Sequence, residues 1–254
     1  MLPILLAHKA INVNLANRFG ASPLHQAVAN LNVLFVKSLL DKKANVDVRD
    51  KNERTPLHYA LQRKHMDLVQ ALVAAGADVN AVDDNGRNGL HYAVNAADSG
   101  ADASFEMEDF LLSHGAEVNQ RDKHGRVPMH YAFVKIGQDV ASQTSSIDPI
   151  ETISSLCALD QLEIDPADHH GCTPLHYAAQ RGATTCSLLL LNRKAALEHE
   201  DRDGNTPLGV AIKSGHGDYA IMLLQKKADV RHPIHYVTRE WRQREGATDP
   251  KDKV

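Results

Sequence analysis

The hexapeptide TPLHYA stands at Thr55–Ala60 and again, letter for letter, at Thr173–Ala178. Four variants share its register: SPLHQA from Ser22, NGLHYA from Asn88, VPMHYA from Val127 and TPLGVA from Thr206. Their fourth positions are His25, His58, His91, His130, His176 and Gly209, at intervals of 33, 33, 39, 46 and 33 residues. A recurring period of this size marks a repeat architecture. In the second copy Thr55 offers a helix-capping hydroxyl, and Pro56 suits a first helical position that needs no N–H. Leu57 and Ala60 share one face. Leu68, Val69, Leu72 and Val73 then recur at helical spacing and predict a second helix, which Gly76 ends. Asp78–Gly86 reads as a hairpin-like finger that turns at Asn85-Gly86. A single unit cannot bury its own apolar face, so stability requires stacked neighbours.

The 33-residue period carrying T-P-L-H-x-A resembles the ankyrin repeat, across nearly the whole chain. The resemblance implies an all-α, ankyrin-repeat solenoid of stacked helix-turn-helix units with hairpin-like fingers. It also implies that each motif histidine ties its helix start to the adjacent loop. The boundaries read as the second half of a truncated repeat at 1–14, six repeats over 15–230, an incomplete seventh at 231–245 and a polar tail at 246–254. HPIHYV at His232–Val237 opens that last unit. Neither end has a polar cap, and the expectation is a segment of a larger protein. The two long intervals place insertions near 95–109 and 135–149, after the first helix in each case. They read either as a binding edge or as tolerated length drift.

Composition excludes several classes. The chain has 254 residues, is 43% hydrophobic and carries a net charge of −4, which disfavours a nucleic-acid partner. Three cysteines without a C-x-x-C pair fit a reducing, intracellular compartment, cytoplasmic or nuclear. MLPILLAHK lacks a basic leader and is too short to span a bilayer. HHGCTPLH gathers His169, His170, Cys172 and His176, but Cys172 and His176 already have places in the repeat. DRDGN opens like a calcium loop, yet its twelfth position from Asp201 is Ile212 rather than a glutamate. No phosphate loop, nucleophile elbow or H-E-x-x-H is present. The chain reads as a non-enzyme without metal or cofactor. Tyr59, Tyr92, Tyr131, Tyr177 and Tyr236 recur beside the motif histidines and predict partial burial between helices.

The expected function is a protein-binding scaffold that takes a protein or peptide partner across its fingers and first helices. The candidate contacts are cationic. Arg54, Arg87 and Arg126 hold one finger position in three successive units, with Arg49, Lys51, Arg121 and Lys123 nearby and Arg63, Lys135 and Arg181 on the helix side. Guanidinium groups in a row suit an acidic or phosphorylated segment. DPIETISSLC (Asp148–Cys157), DGNTPLGVAI (Asp203–Ile212) and HPIH are also similar to ankyrin regions of long invertebrate poly(ADP-ribose) polymerases. That likeness implies the alternative of a targeting arm on a larger enzyme.

Overall fold

The computed structural model describes residues 12–95, 101–134 and 149–230, the side chains of 101–105 excepted. Residues 1–11 of the half-unit expected at 1–14, the incomplete repeat and polar tail after 230 with Tyr236, residues 96–100 of the first insertion, and 135–148 of the second with Lys135 lie outside the described residues. The described residues form twelve helices in six consecutive pairs. The chain divides into two compact units, one ending at Lys123 and the other beginning at His124.

The first unit holds three pairs: Pro23–Ala29 with Val33–Asp41, Pro56–Gln62 with Met66–Ala74, and Gly89–Ala93 with Ala101–Ser113. Its first helices stack on one another, and so do the second helices of the first two pairs. Leu57, Ala60, Leu61, Leu72, Leu90 and Ala93 are buried at this stack. Alanine at the point of closest approach lets the helices meet, and each buried leucine contributes about 2 kcal/mol. The second unit repeats the plan with Pro128–Tyr131 and Ile150–Cys157, Pro174–Arg181 and Thr184–Asn192, and Pro207–Lys213 and Gly217–Gln225. Ala178, Ala211, Leu175 and Leu208 take the corresponding buried places.

The fingers contain no strand among the described residues; the hairpin-like finger turns where expected, at Asn85-Gly86, and is held by a compact set of bonds. The fingers of Asp50, Asp83, Asp168 and Asp201 each close on their own aspartate. The Asp83 N–H donates to the Arg87 carbonyl (3.0 Å), and the Gly86 N–H donates to the Asp83 carbonyl (2.9 Å). The Asp83 carboxylate in turn accepts the N–H groups of Asn85 (2.8 Å) and Arg87 (2.9 Å). A loop of five residues is thus satisfied internally and needs no ladder. Neighbouring tips are laced by one backbone bond each: Lys51 N–H to the Phe19 carbonyl, Asp84 to Asn52 and Lys123 to Asn85 in the first unit. His169 to His124 and Arg202 to His170 repeat it in the second.

Glycine at the fourth finger position answers both constraints. At Gly86 φ is +79°, and an added Cβ would stand 3.3 Å from the next finger's backbone at Asp122 and Lys123. Gly20 and Gly171 meet the following finger at 2.9 and 3.0 Å. Glu53 holds the same place in the second finger, at φ +57°.

The insertions change helix length. Gly89–Ala93 has five residues and Pro128–Tyr131 four, where the other first helices have seven or eight. Residues 101–113 are helical, so the first insertion from Ala101 onward extends the second helix instead of looping out. Met107 and Leu111, four apart, are both buried and give that helix its packed face. Each shortened helix is met by a cation from a neighbouring repeat. Lys64 Nζ donates to the Tyr92 and Ala93 carbonyls (3.1 and 2.5 Å), and an Arg181 N–H donates to the Phe133 carbonyl (2.7 Å). Helix carbonyls left without partners favour cations in this way. Burial lowers the Lys64 ammonium to about 8, against the opposing pull of Glu108.

Glu53→Gly should raise stability by about 0.5–1 kcal/mol, because it removes a side chain from a left-handed position. It deletes only an exposed ion pair with Arg49 (3.5 Å), whose contribution is small. Gly86→Ala should do the reverse. Thermal melts of both variants against the parent check the pair, and a lower melting temperature for Glu53→Gly refutes it.

Candidate partner-binding site

The motif histidines are built into the helix starts. In the second repeat the Thr55 N–H donates to His58 Nδ1 (3.0 Å). Nδ1 therefore accepts, the proton sits on Nε2, and Nε2–H donates to the Arg87 carbonyl of the next finger (3.2 Å). His25 bridges Ser22 to the Arg54 carbonyl, His130 bridges Val127 to Cys172, and His176 bridges Thr173 to Asn205, at 2.9–3.2 Å. Both ring nitrogens of His176 are thereby engaged. No group of three or more metal-capable side chains is gathered among the described residues. Burial lowers the pKa of His25, His58 and His176, and takes His130 down to about 4, although the carbonyl contacts work the other way.

The fifth finger position carries that accepting carbonyl, and its side chain turns back on its own finger. Arg87 places Nε and a terminal nitrogen 2.9 and 2.6 Å from Asp83 Oδ2. Tyr92 donates its hydroxyl to the same oxygen (2.7 Å), and the guanidinium lies over the Tyr92 ring at 5.2 Å. Arg54 repeats this with Asp50 (3.2 and 3.0 Å) and Tyr59, whose hydroxyl is 2.7 Å from Asp50 Oδ2. Arg126, in the second unit, lies over Tyr131 at 4.7 Å and reaches its hydroxyl at 2.7 Å. The Arg87 side chain is 15% exposed and that of Asp83 0%. Burial works to raise the Asp83 carboxyl, but the Arg87 side chain, the Tyr92 hydroxyl and the Arg87 backbone hold it below the ordinary carboxylate range. For Asp50 the opposing group is led by Tyr59.

The expected row of solvent-facing guanidinium groups is thus differently placed. Arg54 and Arg87 direct their forks into a carboxylate of their own repeat. Arg181, half-buried, closes the end of the fourth repeat's first helix. Arg49 donates to the Val82 carbonyl of the next finger (2.8 Å) and keeps an exposed side chain. Lys51, Arg63, Arg121 and Lys123 are exposed. Lys51 and Lys123 sit at the laced fingertips, with Asp84 at the tip between them. The aspartates of the fingers were missed as functional residues. Their signal was available, since Asp50, Asp83 and Asp168 each stand four residues before the fifth finger position and nine before a tyrosine.

Comparison with known proteins identifies the repeat. The family model described as ankyrin repeats (3 copies) matches residues 1–83, 24–122, 64–143 and 145–233. The chain belongs to the ankyrin-repeat family. Among solved structures it is similar to the ankyrin repeat domain of Bcl-3, described as a unique member of the IkappaB protein family. The identity is 26%, the TM-score 0.64, and the match covers 83% of this chain and 88% of that one. No curated protein matches the chain. No described helix is long and apolar enough to cross a membrane.

Two outcomes are expected. Unfolded imidazoles protonate near pH 6.5 while the buried ones resist, so the unfolded state binds more protons. Stability should therefore fall as pH drops below about 6.5, with the His130 share lost down to about 4. Urea melts at several pH values check this; a flat profile across that window contradicts it. His58→Ala or His176→Ala should each cost about 1–3 kcal/mol by orphaning a buried N–H and carbonyl.

Proposed function

We propose that the chain is a protein-interaction scaffold that takes an extended acidic or phosphorylated segment along the fingers and first helices. The observation that supports this most directly is the lacing of the fingertips. Backbone bonds between successive tips hold Lys51 and Lys123 in place before any partner arrives, which reduces the ordering cost of association. Arg121 flanks the Lys123 tip, and Arg49 and Arg63 add exposed charge elsewhere in the same unit. Arg54 and Arg87 serve this surface by holding the fingers in shape; in the second unit Arg126 stacks on Tyr131 and Arg181 closes a helix end. A catalytic role draws no support, because the recurrent histidines and tyrosines are committed to the repeat. The alternative of a targeting arm on a larger enzyme, such as a poly(ADP-ribose) polymerase, would use the same surface.

Charge reversal tests the reading. Lys51→Glu, Arg121→Glu and Lys123→Glu together should abolish capture of an acidic or phosphorylated partner from cell extract, while Lys227→Glu leaves it intact. Capture should weaken as salt rises, because the groups are exposed and screened. Capture that is indifferent to salt and to the triple variant removes the cations from the mechanism. Arg87→Glu is no substitute: it sets two carboxylates against each other in a buried site and should lower the melting temperature on its own.

A further inference from the structure

At one place in the repeat pattern the aspartate and the tyrosine are kept while the arginine between them is not. Asp168, Cys172 and Tyr177 stand in the register of Asp50, Arg54, Tyr59 and of Asp83, Arg87, Tyr92. The frame is the same: Asp168 accepts the N–H groups of His170 and Cys172 (2.8 and 2.9 Å), and Tyr177 donates its hydroxyl to Asp168 Oδ2 (2.7 Å). Only the arginine is replaced, by the much shorter Cys172. A cavity of about 360 Å³ opens at that point, lined by Asp168, Cys172, Tyr177, Gln180, Asp201 and Lys213 among others. Its size lies at the lower end of the range for small-ligand pockets.

We infer that this cavity is a receptor for an arginine side chain supplied by a partner, seated over the Tyr177 ring against Asp168. Three sister repeats show the same occupant in cis. Arg54, Arg87 and Arg126 each lie over the corresponding tyrosine at 4.7–5.2 Å, and the first two pair with the corresponding aspartate. The local field favours a cation. Burial, then Asp168, Asp201 and Asp203, push the Cys172 thiol up to about 12. On the cavity wall itself Lys213 stands against two carboxylates, Asp168 and Asp201. A guanidinium suits the place better than an ammonium, because it can stack on the ring while forking to the carboxylate.

The inference deepens the scaffold reading, since it names one side chain that a partner presents to the second unit. The experiment is chosen so that the two can fail separately: it uses a small probe and leaves the fingertip cations untouched. N-acetyl-arginine methylamide is titrated into the isotope-labelled chain and followed by NMR, beside its lysine and citrulline counterparts. Saturable shifts at Cys172, Tyr177 and Gln180 are expected for arginine, with lysine at least about tenfold weaker and citrulline silent. Cys172→Arg should fill the place in cis, abolish the response and leave the melting temperature unchanged or higher. Cys172→Leu, which fills the space without charge, should also abolish it. Equal binding of citrulline, an undiminished response in both variants, or no saturation by about 50 mM overturns the inference.

Discussion

His25, His58, His130 and His176 each donate their Nε2–H to a carbonyl of the next finger, and the stacking of those repeats depends on that bond. It joins groups 29 residues apart in the regular repeats and 42 apart across the second insertion, with the same partners. The bond requires a neutral imidazole with a defined tautomer. The preceding backbone N–H secures this by occupying Nδ1, and burial removes the charged alternative. The accepting carbonyl must also be held at the right height. That is the work of the finger aspartate, which folds five residues around one carboxylate.

The arginine at the fifth finger position follows from the same constraint. A carboxylate carried into a half-buried finger needs a counter-charge, and the nearest backbone position supplies one. Variation among the repeats traces the logic. Where Asn17 replaces aspartate, its side chain still accepts the Phe19 and Ala21 N–H groups, and both arginine and tyrosine are gone, replaced by Ala21 and Gln26. Where Asn205 replaces arginine, its amide pairs with Asp201, and Val210 stands at the tyrosine position. Fork and ring are therefore lost together in the first and last fingers, whereas at Cys172 the ring and the charge remain without the fork.

Cations have a second use at helix ends. Lys64, Arg181 and Arg193 each reach carbonyls at or just past the end of a helix in a neighbouring repeat; the Arg193 contacts are to Cys157 and Leu159. These contacts fall where first helices are cut short by inserted sequence, or where the second helix after an insertion ends. The insertions are accommodated by side chains from outside their own repeat. Part of the extra length is absorbed as helix, because Met107 and Leu111 offer an apolar face that a loop would leave wet.

The sequence by itself determined the all-helical repeat class and the register of the six motifs, and the family resemblance it carries implied the tie between histidine and loop. Thr55, Pro56 and Gly86 act locally, and local chemistry repeats with the period. It also marked where the array departs from regularity. The sequence could not say which way a charged side chain turns. Arg54 and Arg87 read as outward groups because arginine usually is, and only the folded finger brings an aspartate and a tyrosine to the same guanidinium. The vacancy at Cys172 is a tertiary fact of the same kind: a missing side chain becomes a cavity only when its neighbours hold their positions without it.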